Sequence, residues 1–461
     1  LNLSPFSRVW HGRSLRKEIT ITLKLALPLM MGELSSMLMG VVGTMMTGHL
    51  GETSLAASGI ASVIYVMSML LIWGGIRMIP TPVAEAHELR NGKSMRTLVL
   101  AGGLLSLFFI IVCSSLLWLG ILNFDLMQQD PEVSRLAVGY LRIIAYSMPV
   151  LVLFSVLINY IDALGYVKFT MFLSIFGLLL DVSLNWVFIF GHFGMPKLGL
   201  NAIAMNTGIT HLVLTIIMLG MLYRKKELAY IWEAKTNFKA VWTQTISFIK
   251  VAIPSALQIM VEFAAFASGT VIIGQISKTE QAAHQIAINL ISVTYVTIMG
   301  ISTAGMIRVG QALAYNSRVR IWLAGIATIV LAMLFMVVPT IAFLLFPKSI
   351  AGLYIEDPIV VSIATSLLLF AGLFQMADAI QASSISLLRA LNDVTRPSIL
   401  SFIAFWLIGI PLGYWLAVHQ GWNAKGIWIG YLVALLVQAA FFLRRFFHLV
   451  AHFDLSARKN N

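Results

Sequence analysis

Twelve apolar runs succeed one another along this chain, over about 20–47, 55–80, 97–121, 135–160, 167–190, 199–222, 247–273, 282–304, 321–346, 360–385, 398–418 and 426–447. A helix needs roughly 20 apolar residues to cross a hydrocarbon core about 30 Å thick. In lipid, every backbone N–H and C=O must be bonded within its own segment or in a closed barrel, so runs of this length fold as helices. Composition agrees: 59% of the residues are hydrophobic and 11% charged, against about 25% charged in soluble domains. The chain is expected to be an all-α polytopic membrane protein, with no stretch left over for a separate soluble domain.

A net charge of +12 would suggest a nucleic-acid partner in a soluble protein, but here its distribution reports topology. Alternate segments place Arg8, Arg13, Arg16, Lys17, Arg90, Lys93, Arg96, Arg224, Lys225, Lys226, Arg318, Arg320, Arg444 and Arg445 on the side of both termini. The opposite side collects only Arg135, Lys197, Lys278, Lys348 and Lys425. The positive-inside rule then puts both termini in the cytoplasm. Residues 1–19 read as a basic, partly amphipathic arm on the inner leaflet, and 449–461 as a cytoplasmic tail. No small-residue cleavage site follows a short apolar core, so the first span is expected to be retained as the insertion signal. Cys113, alone and inside a span, reads as a packing residue.

The two halves repeat at an offset of 226–227. Lys24 and Pro28 recur as Lys250 and Pro254, Gly43-Thr44 as Gly269-Thr270, Gly48 as Gly274, and Asp130-Pro131 as Asp357-Pro358. Ala56-Ala57 and Ile60-Ala61 recur as Ala282-Ala283 and Ile286-Ala287, and Ala163-Leu164 as Ala390-Leu391. Apolar matches arise between any two membrane helices; Lys, Pro and Asp-Pro pairs holding register do not. The expected architecture is therefore twelve transmembrane helices in two pseudo-symmetric six-helix lobes, 20–223 and 246–448. An even number of spans inserts both lobes the same way up, an arrangement used by alternating-access transporters. The charged stretch 224–245 reads as the cytoplasmic linker that would let them rock.

Carboxylates at mid-membrane depth are costly and mark function. Glu262 lies at the middle of VAIPSALQIMVEFAAFASGT, and Gln258, Glu262, Phe266 and Gly269 fall along one helical side. Counted at about 1.5 Å per residue from Lys250, Glu262 is about 18 Å deep; counted back from Arg389, Asp378 is about 16 Å deep. The two acids are expected to share a layer. Gln375 and Gln381 flank Asp378 at i−3 and i+3, extending a polar stripe. Phe263, Phe266 and Phe374 lie near the acids and can offer apolar and cation–π contacts to a flat organic cation. In the amino-terminal lobe, Asp181 and Asn185 stand one turn apart in LLLDVSLNWVF, suited to a proton or small cation, or to a helix-packing hydrogen bond. Glu33, close to Pro28, reads as structural.

These features resemble the multidrug and toxic compound extrusion (MATE) transporters, most nearly the NorM-type branch. The resemblance rests on the duplicated plan, the Pro-led first and seventh helices, the seventh-helix Glu followed by AAHQIAIN, and RVGQALA after the eighth span. LFQMADAIQ around the tenth-helix Asp and NAKGIWIG opening the last helix add to it, so that it covers nearly the whole chain. It implies efflux of organic cations by antiport with Na⁺ or H⁺, without a cofactor and with Glu262 and Asp378 on the matching positions, where Na⁺ is a possible ligand. It also implies a multi-pass monomer in a bacterial inner membrane, with the lipid bilayer and small organic cations as its partners. One departure stands out. Many members of the resembled family carry an Asp fifteen residues after the first-helix Pro, where this chain has Gly43, so coupling is expected in the carboxy-terminal lobe at Glu262 and Asp378, with Asp181 and Asn185 as what remains of the other site.

Three other classes fit the sequence less well. A lipid-linked oligosaccharide flippase of the same superfamily calls for a cationic cavity, whereas the candidates here are acidic apart from Arg77 and Arg142. A major-facilitator transporter would show a Gly- and Asp-Arg-rich second loop, which EAHELRNGKSMR lacks. An enzyme would need a nucleophile and base or a metal cluster; His87, His284 and the other histidines show no HExxH or paired spacing.

Overall fold

The computed structural model describes residues 12–127 and 129–453; the start of the basic arm and residues 454–461 of the tail lie outside the described residues. Twelve helices among them are long and apolar enough to cross a membrane. They are α1 Leu15–Gly48, α2 Glu52–Glu88, α3 Gly92–Leu122, α4 Pro131–Ala163, α5 Val167–Phe190 and α6 Leu200–Arg224, then α7 Phe238–Ile276, α8 Lys278–Ala314, α9 Arg318–Leu345, α10 Pro358–Ala390, α11 Thr395–His419 and α12 Asn423–Ala451. Each apolar run of the sequence lies on one of them, and most of the helices extend past their runs into polar residues. The chain is an all-α multi-pass membrane protein.

The repeated Asp-Pro pair has a local cause. Asp130 accepts a hydrogen bond from the Glu132 N–H (2.9 Å), and Asp357 accepts from Ile359 (2.8 Å) and Val360 (3.2 Å). In both places the following proline occupies the first helical turn, where its missing N–H is not needed. Within α2, Pro80 and Pro82 restart the helix after a break at residues 76–79, and Arg77 sits in that break. In α11 the residues Ile403–Gly409 and Trp415–His419 form π-helical turns, a widening often found at functional positions.

Two compact units make up the chain. One is Met31–Ala256; the other joins the described residues from Leu257 onward to those of α1 up to Met30. The divisions fall inside α1 and α7, just beyond Pro28 and Pro254, where proline removes a helical hydrogen bond. Close packing explains which half goes where. A methyl group on Gly74 would lie 2.9 Å from the backbone nitrogen of Ala256, and one on Gly300 would lie 2.6 Å from that of Met30. Gly74 and Gly300 are themselves one repeat apart. Only glycine at these two positions lets a helix backbone approach so near. The Met30 segment is further held by Arg308, whose Nε and Nη2 donate to the two carboxylate oxygens of Glu18 at 2.7 and 2.9 Å.

The charged stretch before α7 does not hang free of the Met31–Ala256 unit. Lys226–Leu228 is a 3-10 turn, Ala229–Glu233 a short helix, and Leu228 and Ile231 are buried. His87 Nδ1 and Tyr230 Oη lie 2.8 Å apart, the Thr97 and Thr236 hydroxyls 2.6 Å apart, and the Arg96 guanidinium lies 5.2 Å above the Trp232 ring. Tyr166 Oη donates to Glu227 at 2.8 Å. Desolvation, then that bond to an acid, push the phenol up to about 12, so it remains a donor. Apolar residues among the charges fasten this segment, and α7 already begins at Phe238, inside the stretch read as linker.

Candidate cation site

In the Leu257-onward unit, with Gln258 beginning the set, α7, α10, α11 and α12 converge on one carboxylate. Glu262 Oε1 accepts from Gln258 Nε2 (2.6 Å), Gln381 Nε2 (3.1 Å) and Ser401 Oγ (3.1 Å). All three donors reach the same oxygen, which leaves Oε2 without a donor among the described residues. Gln438 closes the ring from α12: its Oε1 accepts from Ser401 (2.8 Å) and Gln381 (3.2 Å), while its Nε2 is buried without a partner among the described residues. Trp406, in the first π-helical turn, donates from Nε1 to the Val261 carbonyl at 3.1 Å, fixing the backbone next to the acid. A buried polar ring of this kind holds a charge that lipid alone would not tolerate.

Asp378 stands one turn from Gln381 on α10 and is within electrostatic reach of Glu262. It is 6% exposed, as against 0% for Gln375. Gln375 Nε2 donates to the Thr294 hydroxyl at 2.5 Å, and its Oε1 is buried without a partner among the described residues. Of the groups singled out from the sequence, Gln258 and Gln381 are bonded to Glu262, Asp378 is within its electrostatic reach, and Gln375 is bonded to Thr294. Gln258 has both amide atoms engaged, one by Glu262 and the other by Arg389 Nη2.

That last contact departs from expectation. Arg389 serves in the sequence as a marker of the membrane boundary, but in the structure it is 4% exposed and bonded into the cluster. The signal was available: Arg389 follows Asp378 by eleven residues, about three helical turns, and so lies on the same face of α10. Ser401 and Gln438 were not singled out, since a lone Ser or Gln in an apolar run looks like any packing residue.

Aromatic rings close the other side. Phe266 lies 6.1 Å from Phe374, 5.6 Å from Phe405 and 4.7 Å from Tyr431, centroid to centroid. Phe374 is wholly packed, Phe266 is partly exposed, and Phe263 is exposed. Of the three, Phe374 has no free face for a cation. His284 is buried beside them, with Trp428 Nε1 donating to its Nδ1 at 3.1 Å and its Nε2 lying 2.9 Å from Thr270 Oγ1. An indole N–H can only donate, so His284 carries its proton on Nε2 and is neutral.

In the Met31–Ala256 unit, Asn185 Nδ2 donates to Asp181 Oδ2 (2.8 Å), and Asn206 Nδ2 donates to Asn185 Oδ1 (2.9 Å). Asn206 was missed, although Asn206 and Thr210 are an i, i+4 polar pair on α6; both have buried oxygens without a partner among the described residues. Gly43 faces Ile203, one turn before Asn206, and a methyl group there would meet its side chain at 3.8 Å. Asp162, unremarked as an intramembrane acid, is buried and takes a hydrogen bond from the Thr170 hydroxyl. It lies within electrostatic reach of Glu33, which is in turn within reach of Arg77. Arg142 is exposed.

The MatE family model matches this chain twice, over residues 28–187 and 254–415. The chain belongs to the MatE family. The two matches begin at Pro28 and Pro254, the same register as the internal repeat. Among curated relatives, the "Probable multidrug resistance protein NorM" of Bacillus cereus (strain ATCC 14579) is 33% identical over 427 residues, covering 91% of this chain and 93% of that protein. The "Multidrug resistance protein NorM" of Vibrio cholerae is 28% identical over 445 residues, covering 95% and 97%. The fold matches a solved structure described as "Crystal structure of eukaryotic MATE transporter AtDTX14", with TM-score 0.82, 20% identity and coverage of 96% and 97%. It also matches an outward-facing multidrug resistance MATE family transporter, with TM-score 0.84, 18% identity and coverage of 95% and 97%. As a MatE-family member the chain is a membrane transporter and not an enzyme.

Proposed function

We propose that this MatE-family chain is a secondary active multidrug efflux transporter that exports organic cations by antiport with Na⁺ or H⁺. It would work as a monomer in a bacterial inner membrane, with both termini in the cytoplasm. The observation that carries the reading is Glu262, a carboxylate deep in an apolar unit, hydrogen-bonded on one oxygen only and within electrostatic reach of Asp378. Such a pair attracts any cation that can reach it, and a proton, a sodium ion and an organic cation compete for the same charge. Facing outward, the site exchanges drug for the coupling ion; facing the cytoplasm, where that ion is scarce, it releases the ion and takes up drug. Phe266 supplies an apolar face, and Gln375 and Gln381 supply polar contacts. Asp181 and Asn185 form a secondary site for the coupling ion.

The test is efflux of a cationic dye from proteoliposomes, with a pH gradient and a sodium gradient imposed separately. Glu262→Gln keeps the shape of the side chain and removes its charge; with Asp378→Asn, it should insert normally and lose gradient-driven efflux. Normal pumping by Glu262→Gln under either gradient would show the carboxylate to be structural.

A further inference from the structure

We infer that Arg389 is a built-in counter-cation for the Glu262 site, held one amide away by Gln258, and that it sets how tightly the site binds its cations. The inference rests on the transport reading above and concerns the affinity of that same site. A guanidinium bears only N–H donors, so the Gln258 atom that meets Arg389 has to be the oxygen. The amide nitrogen of Gln258 is then left to face Glu262, as observed at 2.6 Å. This side chain cannot flip without opposing donor to donor at one end and acceptor to acceptor at the other. Gln258 is a spacer of fixed polarity between a buried cation and a half-buried anion.

Its consequence is graded compensation. Arg389 is 4% exposed and within electrostatic reach of Glu262, so part of the carboxylate charge is already answered before any ligand arrives. A direct pair would satisfy Glu262 and exclude cations; no pair would bind them too tightly to let go. A pump needs its site between those limits, because the same cation must be captured on one side and surrendered on the other. Arg389 makes no contact with ligand in this scheme and acts through Gln258, as a positioning residue.

Opposite shifts from two substitutions test this. Arg389→Gln removes the counter-charge, and the Kd of the purified full chain for tetraphenylphosphonium should fall about tenfold, the smaller end of the effect of an opposite charge beside a carboxylate. Turnover in proteoliposomes should fall with it, as release slows. Gln258→Ala keeps both charges but lets the guanidinium reach Glu262, so the Kd should rise. Arg389→Lys, which keeps the charge, should stay near the parent in both measurements. A purely structural role would move Arg389→Gln and Gln258→Ala in the same direction, and that result, or an unchanged Kd in both, overturns the inference. Should Arg389→Gln fail to fold, Gln258→Ala is read with two probes: a Kd raised for tetraphenylphosphonium but unchanged for an uncharged dye supports the inference, and equal shifts for both probes, or none, overturn it. The two levels separate cleanly, because normal transport by Glu262→Gln defeats the proposed function, whereas an inactive Glu262→Gln with no shift at Arg389 and Gln258 defeats only this step.

Discussion

Replacing Trp428 by Phe isolates one hydrogen bond in the aromatic wall. Trp428 is fully buried, and its indole N–H is the donor to His284 Nδ1 at 3.1 Å. Phenylalanine leaves that nitrogen buried and unsatisfied, at about 1–3 kcal/mol. The lost ring volume adds about 1–2 kcal/mol, below the 3–5 kcal/mol of a full Trp→Ala truncation. The expected destabilisation is therefore roughly 2–5 kcal/mol. In a His284→Leu background no imidazole nitrogen remains to be stranded, while Thr270 keeps its hydrogen bond to the Phe266 carbonyl at 3.0 Å. There the buried indole N–H of Trp428 has itself lost its acceptor, so Trp428→Phe removes an unsatisfied donor and should cost less than the volume effect, and the double-mutant cycle reports a coupling of roughly 2–6 kcal/mol. Reversible unfolding in mixed micelles, titrated with a denaturing detergent, measures all four proteins. Equal costs of Trp428→Phe in both backgrounds, to within about 0.5 kcal/mol, would refute the assignment of the Nε2 proton and the structural value placed on this bond.

Two further outcomes follow from packing and charge. Gly300→Val puts a branched side chain where even a methyl group would lie 2.6 Å from Met30 N, so the protein should be markedly less stable in thermal unfolding, and Gly74→Val should behave alike; wild-type stability in either would refute the close approach. Asp181→Asn should lower gradient-driven dye efflux less than Glu262→Gln does, because Gly43 offers that site no second acid, whereas Gly43→Asp, whose Cβ would make only an ordinary van der Waals contact with Ile203, should increase its dependence on Asp181; the reverse order of the first two would return coupling to the Met31–Ala256 unit.

Much of the fold was legible because lipid imposes a simple rule: long apolar runs become helices, and twelve of them were visible. The Asp-Pro repeat was legible for a local reason too, since both pairs cap a helix and supply its first turn. The division of α1 and α7 between the units was not, because a proline in an apolar run marks a weak point without saying which neighbour each half will choose. Gly74 and Gly300 make that choice, and a glycine among apolar residues looks unremarkable in sequence. Glu262, Asp378, Gln375 and Gln381 stood out as polar groups at depth. Arg389 lies at a helix end, where a positive residue reads as a marker of the headgroup layer; its burial and its bond to Gln258 come from the partners that α7 brings. Ser401 and Gln438 gain their meaning from helices far away in the chain.

The ion pair between Glu18 and Arg308 spans 290 positions, and that separation orders events during synthesis. At about 5–20 residues per second, the ribosome needs roughly 15–60 s to travel from one partner to the other. The Met31–Ala256 unit has all its residues as soon as Ala256 emerges, and it can close while the rest is still being made. The first half of α1 cannot, since Gly300 and Arg308 do not yet exist. The first half of α1, made before either unit is complete, is thus among the last parts described to find its place, and it waits in lipid as a lone helix, tethered through Pro28 to a unit that is already built.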